Sequence, residues 1–479
     1  CFPVFLACLT FYCLKRTMLF LGIDLGTGGI RSVIVDGDGR VCSENQITFK
    51  QVNFSDKDGE SEQDPKEWIR AFEELLEIIF SQSSNREIRA IAIDGTSGTV
   101  LPVAPKGEAL GNALMHNDMR AVKEAARCTA VFNGSCSPTF ALPKILWMQD
   151  NWQLPENTYF FHSSDFLYSW LSGTTKIATD FTNAMKTGVD LNREDWSEHE
   201  ILGALNLPPI IRPGKSFETV SGRLRKKWSL ENEVVLVSGS TDSNAAFYAS
   251  GATKTGDWAS TIGTTLAIKG LSRTKLLDES GRIYCHKYPD GFWLPGGASN
   301  AGAEIIRKNF AGKEQGIEEN LKNSEVLTDG FVYPSIRVGE RLPIASQDFR
   351  PFNTLQDQGE KVFYQACLEG IAFTEAMVFD LIRSLGGTTK GSLFAMGGTT
   401  KSSIGLQIRA DVHQKIITIP ANPNSAFGAA ILAAAGYNHQ SVAEASKAMV
   451  QLDRHIHPRS KYEDFYKSKY QEFLAFFSK

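Results

Sequence analysis

Near its start the chain reads Leu19-Phe20-Leu21-Gly22-Ile23-Asp24-Leu25-Gly26-Thr27-Gly28-Gly29-Ile30-Arg31-Ser32-Val33-Ile34-Val35. Two runs of apolar and β-branched residues flank a Gly-Thr-Gly-Gly turn, and this pattern predicts a β-hairpin. Asp24 lies near the end of the first run, where burying a carboxylate is costly unless it has a partner such as a metal ion. The turn glycines can present backbone N–H groups to an anion. From these residues alone, a phosphate-binding turn and a plain hairpin with a solvated acid remain equally open.

The length of 479 residues favours two domains, because one hydrophobic core seldom organises so long a chain. The formal net charge of −4 gives no reason to expect nucleic acid or an anionic membrane surface as a partner. No apolar run in the sequence approaches the roughly 20 residues of a membrane span. The eight cysteines form no C-x-x-C pair, which favours reduced, intracellular thiols. The composition therefore favours a small-molecule substrate, and it does not indicate an oligomeric state.

Residues 1–17 are expected to lie outside the fold. This segment is mostly apolar before Lys15-Arg16-Thr17, and Met18 stands directly before the first predicted strand. We interpret it as extraneous sequence or the end of a targeting segment.

Further polar turns follow predicted strands along the chain. Asp94-Gly95-Thr96-Ser97-Gly98-Thr99 follows a buried strand, and Asp242 follows another at the expected N-cap of a helix. Ile262-Gly263-Thr264-Thr265 repeats the opening design of strand, Gly and Thr turn, and strand. Gly397-Gly398-Thr399-Thr400-Lys401-Ser402 follows a fourth strand and precedes a helix. In α/β sheets, the carboxyl ends of strands are where ligands bind.

Other segments are predicted with less detail. Residues 311–358 read as irregular, 358–385 as a long helix, and 441–479 as a polar, helical tail. The polar cluster His116-Asn117-Asp118-Met119-Arg120 is open to two interpretations. It is a helix start capped by Asn117 or Asp118, or part of a binding site.

Common nucleotide motifs do not fit these turns. Gly214-Lys215-Ser216 resembles the end of a P-loop, but the first glycine of that motif would fall at Pro209. The turn at 26–29 leads into a strand and not a helix, which argues against a dinucleotide-binding fold.

The turns together resemble the FGGY carbohydrate kinases, from residue 19 to about 440 and in the family order. The resemblance implies an α/β fold of two actin-like, ribonuclease H-like domains of the ASKHA superfamily around an ATP and sugar cleft. It predicts an N-terminal domain at 18–250, a C-terminal domain at 251–440 and a tail at 441–479 that packs on the domains. The segment Gly428-Ala429-Ala430-Ile431 is expected to support the adenosine motif, which runs from Gly397-Gly398 through Lys401-Ser402 to Gln407–Val412.

Within the family, the segments at 94–99 and 239–243 look most similar to the plant and cyanobacterial xylulokinase-like kinases that act on D-ribulose. Typical xylulokinases have a Met-His pair where this chain has Ser97-Gly98-Thr99, and Asn in place of Ser243. The chain also lacks the usual Trp of the adenosine motif, with Ile404 near its place. The resemblance therefore implies phosphorylation of D-ribulose to D-ribulose 5-phosphate, with D-xylulose or another polyol as the alternative acceptor.

The resemblance also assigns roles to individual residues. Asp242 is expected to be the catalytic base, assisted by Thr27, with ATP and Mg²⁺ as cofactors. The expected metal residues are Asp24 and Asp242. The expected sugar-binding residues are Asp24, Ser97, Asn117, Asp118 and Asp242. The expected ATP-binding residues are Gly26, Thr27, Gly263, Thr264, Gly397, Gly398 and Lys401.

A function of a different class stays open at this point: an ATP-binding regulatory protein or slow ATPase that transfers no phosphate to sugar. The sequence predicts a soluble intracellular protein without nucleic-acid or membrane partners. The plant-like resemblance suggests the plastid stroma, and the cytoplasm is the alternative.

Overall fold

The computed structural model describes residues 18–53, 55, 57–132, 134, 136–321, 328–356 and 359–477, so the expectation for residues 1–17 lies outside the described residues. The strands are β1 Leu19–Leu25, β2 Gly29–Asp36, β3 Val41–Thr48, β4 Glu62–Gln63, β5 Ile88–Gly95, β6 Val100–Val103, β7 Ala113–Leu114, β8 Tyr159–His162, β9 Thr179–Asp180, β10 Val189–Asp190, β11 Asp195–Trp196, β12 Ile210–Ile211, β13 Ser216–Thr219, β14 Val235–Val237, β15 Trp258–Ile262, β16 Leu266–Gly270, β17 Tyr284–Lys287, β18 Trp293–Ser299, β19 Leu393–Met396, β20 Ile417–Pro420 and β21 Leu452–Ile456.

The α-helices are α1 Pro65–Ser81, α2 Val122–Arg127, α3 Ala141–Asn151, α4 Ser163–Ser172, α5 Phe181–Ala184, α6 Glu200–Gly203, α7 Gly222–Lys227, α8 Asp242–Tyr248, α9 Glu304–Phe310, α10 Glu314–Leu321, α11 Glu360–Ser384, α12 Ser403–His413, α13 Ser425–Tyr437, α14 Val442–Met449 and α15 Glu463–Leu474. Short 3₁₀ helices span Ser83–Glu87, Gly398–Lys401, Ser460–Tyr462 and Ala475–Phe477.

The chain divides into two compact units. Unit 1 comprises the described residues through Ala249 together with Asn424–Met449, and unit 2 comprises Ser250–Pro423 and the described residues from Val450 onward. The first division lies near residue 250, where the predicted N-terminal domain ends, and the second lies after residue 423, inside the predicted C-terminal domain. We expected 251–440 to form one domain, whereas the structure assigns 424–449 to unit 1.

The reason for this difference is the close packing of α13 within unit 1. At Gly22 on β1, a Cβ atom would lie 1.9 Å from the backbone oxygen of Ala426. At Gly428, a Cβ atom would lie 1.8 Å from the backbone oxygen of Ala245 on α8. Only glycine allows backbones to approach this closely. The segment around Gly428 therefore packs on β1 and α8, and it does not support the adenosine motif as we expected.

Unit 1 is built on a six-stranded sheet with the order β13-β14-β5-β1-β2-β3. Strands β1 and β2 form the predicted hairpin, paired antiparallel from Leu19 opposite Asp36 to Leu25 opposite Ile30. Strand β1 pairs in parallel with β5, and β5 pairs in parallel with β14. Since parallel strands end at the same edge of a sheet, the chain segments that follow β1, β5 and β14 begin at one edge.

Unit 2 repeats this design in a seven-stranded sheet with the order β17-β18-β16-β15-β19-β20-β21. Strands β15 and β16 form the second predicted hairpin, and β15, β19 and β20 run parallel to one another. The turn at 263–265 and the adenosine motif after β19 therefore begin at the same edge of this sheet.

Several local predictions need correction. Residues 311–358 are not irregular throughout, because they contain α10. The tail is not purely helical, because Leu452–Ile456 pairs antiparallel with β20. Neither Asn117 nor Asp118 caps a helix, since α2 begins only at Val122. Asp242 is the first residue of α8, and Thr241 occupies the N-cap position.

Helix α11, Glu360–Ser384, corresponds to the long helix predicted over 358–385, and it is more apolar than the sequence analysis recognised. By length and composition alone it could cross a membrane, which contradicts our reading that no run was long enough. Of its most apolar window, 83% is buried inside the structure, and its side chains include Phe373 and Ile382 of the unit 2 core. This burial is typical of a helix at the centre of a protein core.

Candidate functional site

Two carboxylates meet at the carboxyl edge of the unit 1 sheet. Asp24 on β1 and Asp94 on β5 are direct neighbours in the parallel register. Asp24 is 8% exposed and accepts a 2.8 Å hydrogen bond from the hydroxyl of Ser425. Asp94 is fully buried, and neither carboxylate oxygen has a hydrogen-bond donor among the described residues. Because a buried carboxylate is costly without a partner, the pair marks a place for a cation or a shared proton.

The surroundings raise the pKa of the Asp94 carboxyl well above its usual value. Burial is the largest cause, and the neighbouring carboxylates of Asp24 and Asp242 raise this pKa further. The described residues contain no group of three or more His, Cys, Asp or Glu side chains that could hold a metal. The pair nevertheless suits Mg²⁺, because this ion binds one or two carboxylates and otherwise keeps water and phosphate ligands.

The turn after β1 exposes a hydroxyl and two backbone donors. Thr27 and Gly28 are exposed, and their N–H groups make no hydrogen bond to described residues. The N–H of Gly26 is used differently from what we expected, because it donates to the backbone oxygen of Gly29 at 3.0 Å and closes the turn. The donors available to an anion are therefore those of residues 27 and 28, and Gly26 acts through turn geometry.

The loop after β5 is held by two lysines that the sequence analysis did not select. Lys144 is fully buried and donates to the backbone oxygens of Gly98 at 2.6 Å and Met115 at 2.7 Å. Lys186 donates to the backbone oxygen of Ser97 at 3.1 Å. The hydroxyl of Ser97, a predicted sugar-binding group, is half-buried and makes no hydrogen bond to a described residue. This hydroxyl is therefore available to a ligand.

The buried ammonium of Lys144 makes the stability of the fold dependent on pH. Burial lowers the pKa of Lys144 to about 7, against the attraction of Asp118, whereas an unfolded lysine titrates near about 10.4. Between these values the unfolded chain binds more protons, so the free energy of unfolding rises with pH, by up to about 1.4 kcal/mol per pH unit from this group. In Lys144→Met this contribution is absent, and we expect a correspondingly shallower rise.

Urea unfolding at several pH values above about 7 measures these slopes. The exposed Lys176→Met is the matched control and should keep the wild-type slope. Equal slopes in the wild type and in Lys144→Met would contradict the prediction.

In the polar cluster at 116–120, Asp118 makes several structural contacts, whereas one ring nitrogen of His116 has no partner among the described residues. Asp118 is fully buried, and its carboxylate accepts from Arg120 at 2.8 Å and from the backbone N–H of Ser61 at 2.7 Å. These contacts favour a structural role, and sugar binding by Asp118 stays a prediction, as it does for the exposed Asn117. Burial, with the charges of two nearby lysines, lowers the pKa of His116, and its Nδ1 atom has no partner among the described residues.

Asp242 is the first residue of α8 and is half-buried, close enough to Lys186 and Asp94 to affect their pKa values. Its carboxylate accepts the backbone N–H of Ser243 at 2.6 Å. It also raises the pKa of Lys186, against the larger lowering effect of burial, and it contributes to the raised pKa of Asp94. Unit 1 thus brings Asp24, Asp94, Asp242, Lys186 and the Ser97 loop into one region.

Unit 2 contains a cavity of about 780 Å³ that includes the predicted ATP-binding residues of this unit except Gly397. Its other lining comes mainly from α9, α10 and α11. The lining residues are Gly263, Thr264, Ala303, Ile306, Arg307, Glu314, Gln315, Glu318, Glu319, Tyr364, Leu368, Gly398, Thr399, Lys401, Ser402 and Ser403.

The backbone at Gly397 requires glycine. Its φ is +85°, and a Cβ atom there would lie 2.6 Å from the backbone oxygen of Ile262. The N–H of Gly263 closes its turn by donating to Thr265 at 3.0 Å, as the N–H of Gly26 does in unit 1. No tryptophan among the described residues lines the cavity, and its apolar and aromatic lining comes from Ala303, Ile306, Tyr364 and Leu368.

The two halves of the chain match two models of one protein family. The model of the FGGY family of carbohydrate kinases, N-terminal domain, matches residues 19–248, and that of the C-terminal domain matches residues 258–437. The chain belongs to the FGGY family of carbohydrate kinases. The prediction of a two-domain, actin-like α/β enzyme that transfers phosphate to a sugar is confirmed.

Individual relatives agree with this assignment. A xylulose kinase of Bacillus subtilis (strain 168) is 25% identical over 477 residues, covering 94% of each chain. A gluconokinase of the same organism is 24% identical, covering 87% of each chain. The crystal structure of a xyloylose kinase from Brucella ovis superposes with a TM-score of 0.84 at 23% identity, covering 96% of this chain and 99% of that one. These relatives are bacterial and give no support to a plastid address.

Proposed function

We propose that this enzyme transfers the γ-phosphoryl group of ATP to a hydroxyl of a ketopentose. The observation that carries the proposal is the grouping of Asp242, Lys186 and the unpaired hydroxyl of Ser97 in unit 1. A carboxylate can accept a proton there, and a hydroxyl and an ammonium can bind sugar oxygens. The cavity in unit 2 has the size and lining for the nucleotide.

In the proposed reaction, Asp242 accepts the proton of the attacking sugar hydroxyl. The hydroxyl oxygen forms a bond to the γ-phosphorus while the bond from that phosphorus to the β-bridging oxygen breaks, and ADP leaves. An aspartate is a weak base at neutral pH, but it suffices where the proton leaves late, as in protein kinases. Catalysis then depends mainly on positioning and on neutralising the charge of the phosphates.

The phosphates need cationic and hydrogen-bonding partners. When bound, Mg²⁺ supplies charge neutralisation to phosphate oxygens. We assign its binding to Asp24, beside the unpaired carboxyl of Asp94, and Asp242 as a further metal residue stays a prediction. The hydroxyls of Thr27 and Thr264 are proposed to donate to phosphate oxygens. Gly398 and Lys401, both on the cavity wall, are proposed to border the nucleotide.

Two ketopentoses compete as the acceptor. The replacement of the Met-His pair by Ser97-Gly98-Thr99 favours D-ribulose, as the sequence analysis predicts. The names of relatives from Bacillus subtilis and Brucella ovis favour D-xylulose. Because the side chains at 97–99 are small, we propose that Ser97, Lys186 and His116 make the polar contacts with the sugar. These groups can bind either ketopentose.

A coupled assay of ADP release tests the proposal with D-ribulose, D-xylulose, L-ribulose, ribitol, glycerol and gluconate. If kcat/KM is highest with D-ribulose, D-ribulose is supported as the acceptor. If it is highest with D-xylulose, the enzyme is still a sugar kinase, but its acceptor is D-xylulose. If no polyol stimulates ADP release, the proposed ketopentose activity is wrong and the slow ATPase or regulatory protein gains support. An intracellular location stays part of the proposal, and fractionation of the native cells tests it.

A further inference from the structure

We propose that Arg307 is a phosphate-binding residue of the nucleotide cavity in unit 2. This inference rests on the proposed function, because it names a residue that binds ATP and that no sequence motif indicated. Arg307 lines the cavity together with Gly263 and Thr264, the two residues of the predicted second phosphate turn.

The start of α9 is fixed against that turn by the backbone. The N–H of Ala303 donates to the backbone oxygen of Gly263 at 2.9 Å, and the N–H of Leu266 donates to that of Ala301 at 2.7 Å. A Cβ atom at Gly302 would lie 2.5 Å from the backbone oxygen of Thr264, so this approach requires glycine. Side chains of a helix point toward its N-terminus, and Arg307, one turn further on, therefore extends over the turn.

The contact between Arg307 and Thr264 leaves both groups able to donate. Nη2 of Arg307 donates to Oγ1 of Thr264 at 2.5 Å. The hydroxyl accepts this bond, so its own proton can be donated to a ligand. The guanidinium has five N–H donors, and this is its one hydrogen bond to the described residues. The remaining donors are available to phosphate oxygens.

No carboxylate in the described part of the chain pairs with Arg307. Glu304, three residues earlier on the same helix, interacts electrostatically with Arg307, but its carboxylate accepts hydrogen bonds from Arg337 at 2.9 and 3.0 Å. Arg307 is exposed and lines the cavity, so its positive charge is accessible to a ligand there. A planar guanidinium matches the geometry of phosphate oxygens and retains its charge at any physiological pH.

Nucleotide binding to Arg307→Met, measured by calorimetry without sugar, tests the proposal. We expect the Kd of ATP and of ADP to rise by about 10- to 100-fold, or about 1.4–2.8 kcal/mol, as is typical for the loss of a hydrogen bond to a charged group. The Kd of adenosine should stay within about twofold, since adenosine has no phosphate. Arg307→Lys should recover part of the ATP affinity.

The neighbouring Lys308→Met is the control for a lost surface charge and should bind all three ligands as the wild type does. Equal weakening of ATP, ADP and adenosine, or no weakening at all, overturns the proposal. If the wild type binds no ATP, the proposed function fails instead. In a Thr264→Val background, a persisting effect of Arg307→Met supports direct phosphate contact, and a vanished effect contradicts it.

Discussion

Asp242→Asn is expected to lower kcat for the sugar substrate by about 10²- to 10⁴-fold, because it removes the proposed general base while keeping the size of the side chain. The Kd of ATP should stay unchanged, since Asp242 does not line the proposed nucleotide cavity and its proposed contact is with the sugar hydroxyl. Asp242→Ala should give the same loss. Steady-state kinetics of ADP release and calorimetric titration with ATP measure the two quantities.

A matched aspartate separates this effect from a general loss of charge. Asp64 caps α1 through a bond to the backbone N–H of Lys66, and asparagine caps helices equally well. Asp64→Asn should therefore keep the wild-type kcat. Retention of wild-type kcat by Asp242→Asn would show that another group takes the proton.

The parts of the fold that depend on neighbouring residues could be predicted from the sequence. Both hairpins are specified locally, because each has two runs containing apolar and β-branched residues and a short turn of Gly and Thr between them. The turns at 26–29 and 263–265 lie where we expected them. Which N–H groups remain free could not be predicted, since that depends on the closing bonds of Gly26 and Gly263.

The parts that depend on distant residues were missed. Asp94 reads as the end of a buried strand, and only the parallel register places it beside Asp24. Lys144 and Lys186 stand far along the chain from the loop that they hold. An unpaired acid in an apolar strand is a signal that could have identified Asp94, because such a residue needs a partner.

The placement of α13 is the clearest case of a distant constraint. Its glycine at 428 was expected to support the adenosine motif, yet it packs against the backbone of α8 at Ala245, 183 positions earlier in the chain. Through Ser425, the same helix holds the carboxylate of Asp24. Helix α13 therefore connects the proposed metal residue with the helix that begins at the proposed base.

Gly428→Ala should accordingly destabilise unit 1 by about 3 kcal/mol, the upper part of the range for overpacking, because the new Cβ atom meets backbone that cannot rotate away. The shift of α13 should also lower kcat, since both Asp24 and α8 depend on it. The control is Gly316→Ala in α10, where a Cβ atom meets nothing within 4 Å. There we expect stabilisation by about 0.5–1 kcal/mol, from the higher helix propensity of alanine. Thermal unfolding and steady-state kinetics of both variants measure these effects, and a Gly428→Ala enzyme with wild-type Tm and kcat would contradict this role of α13.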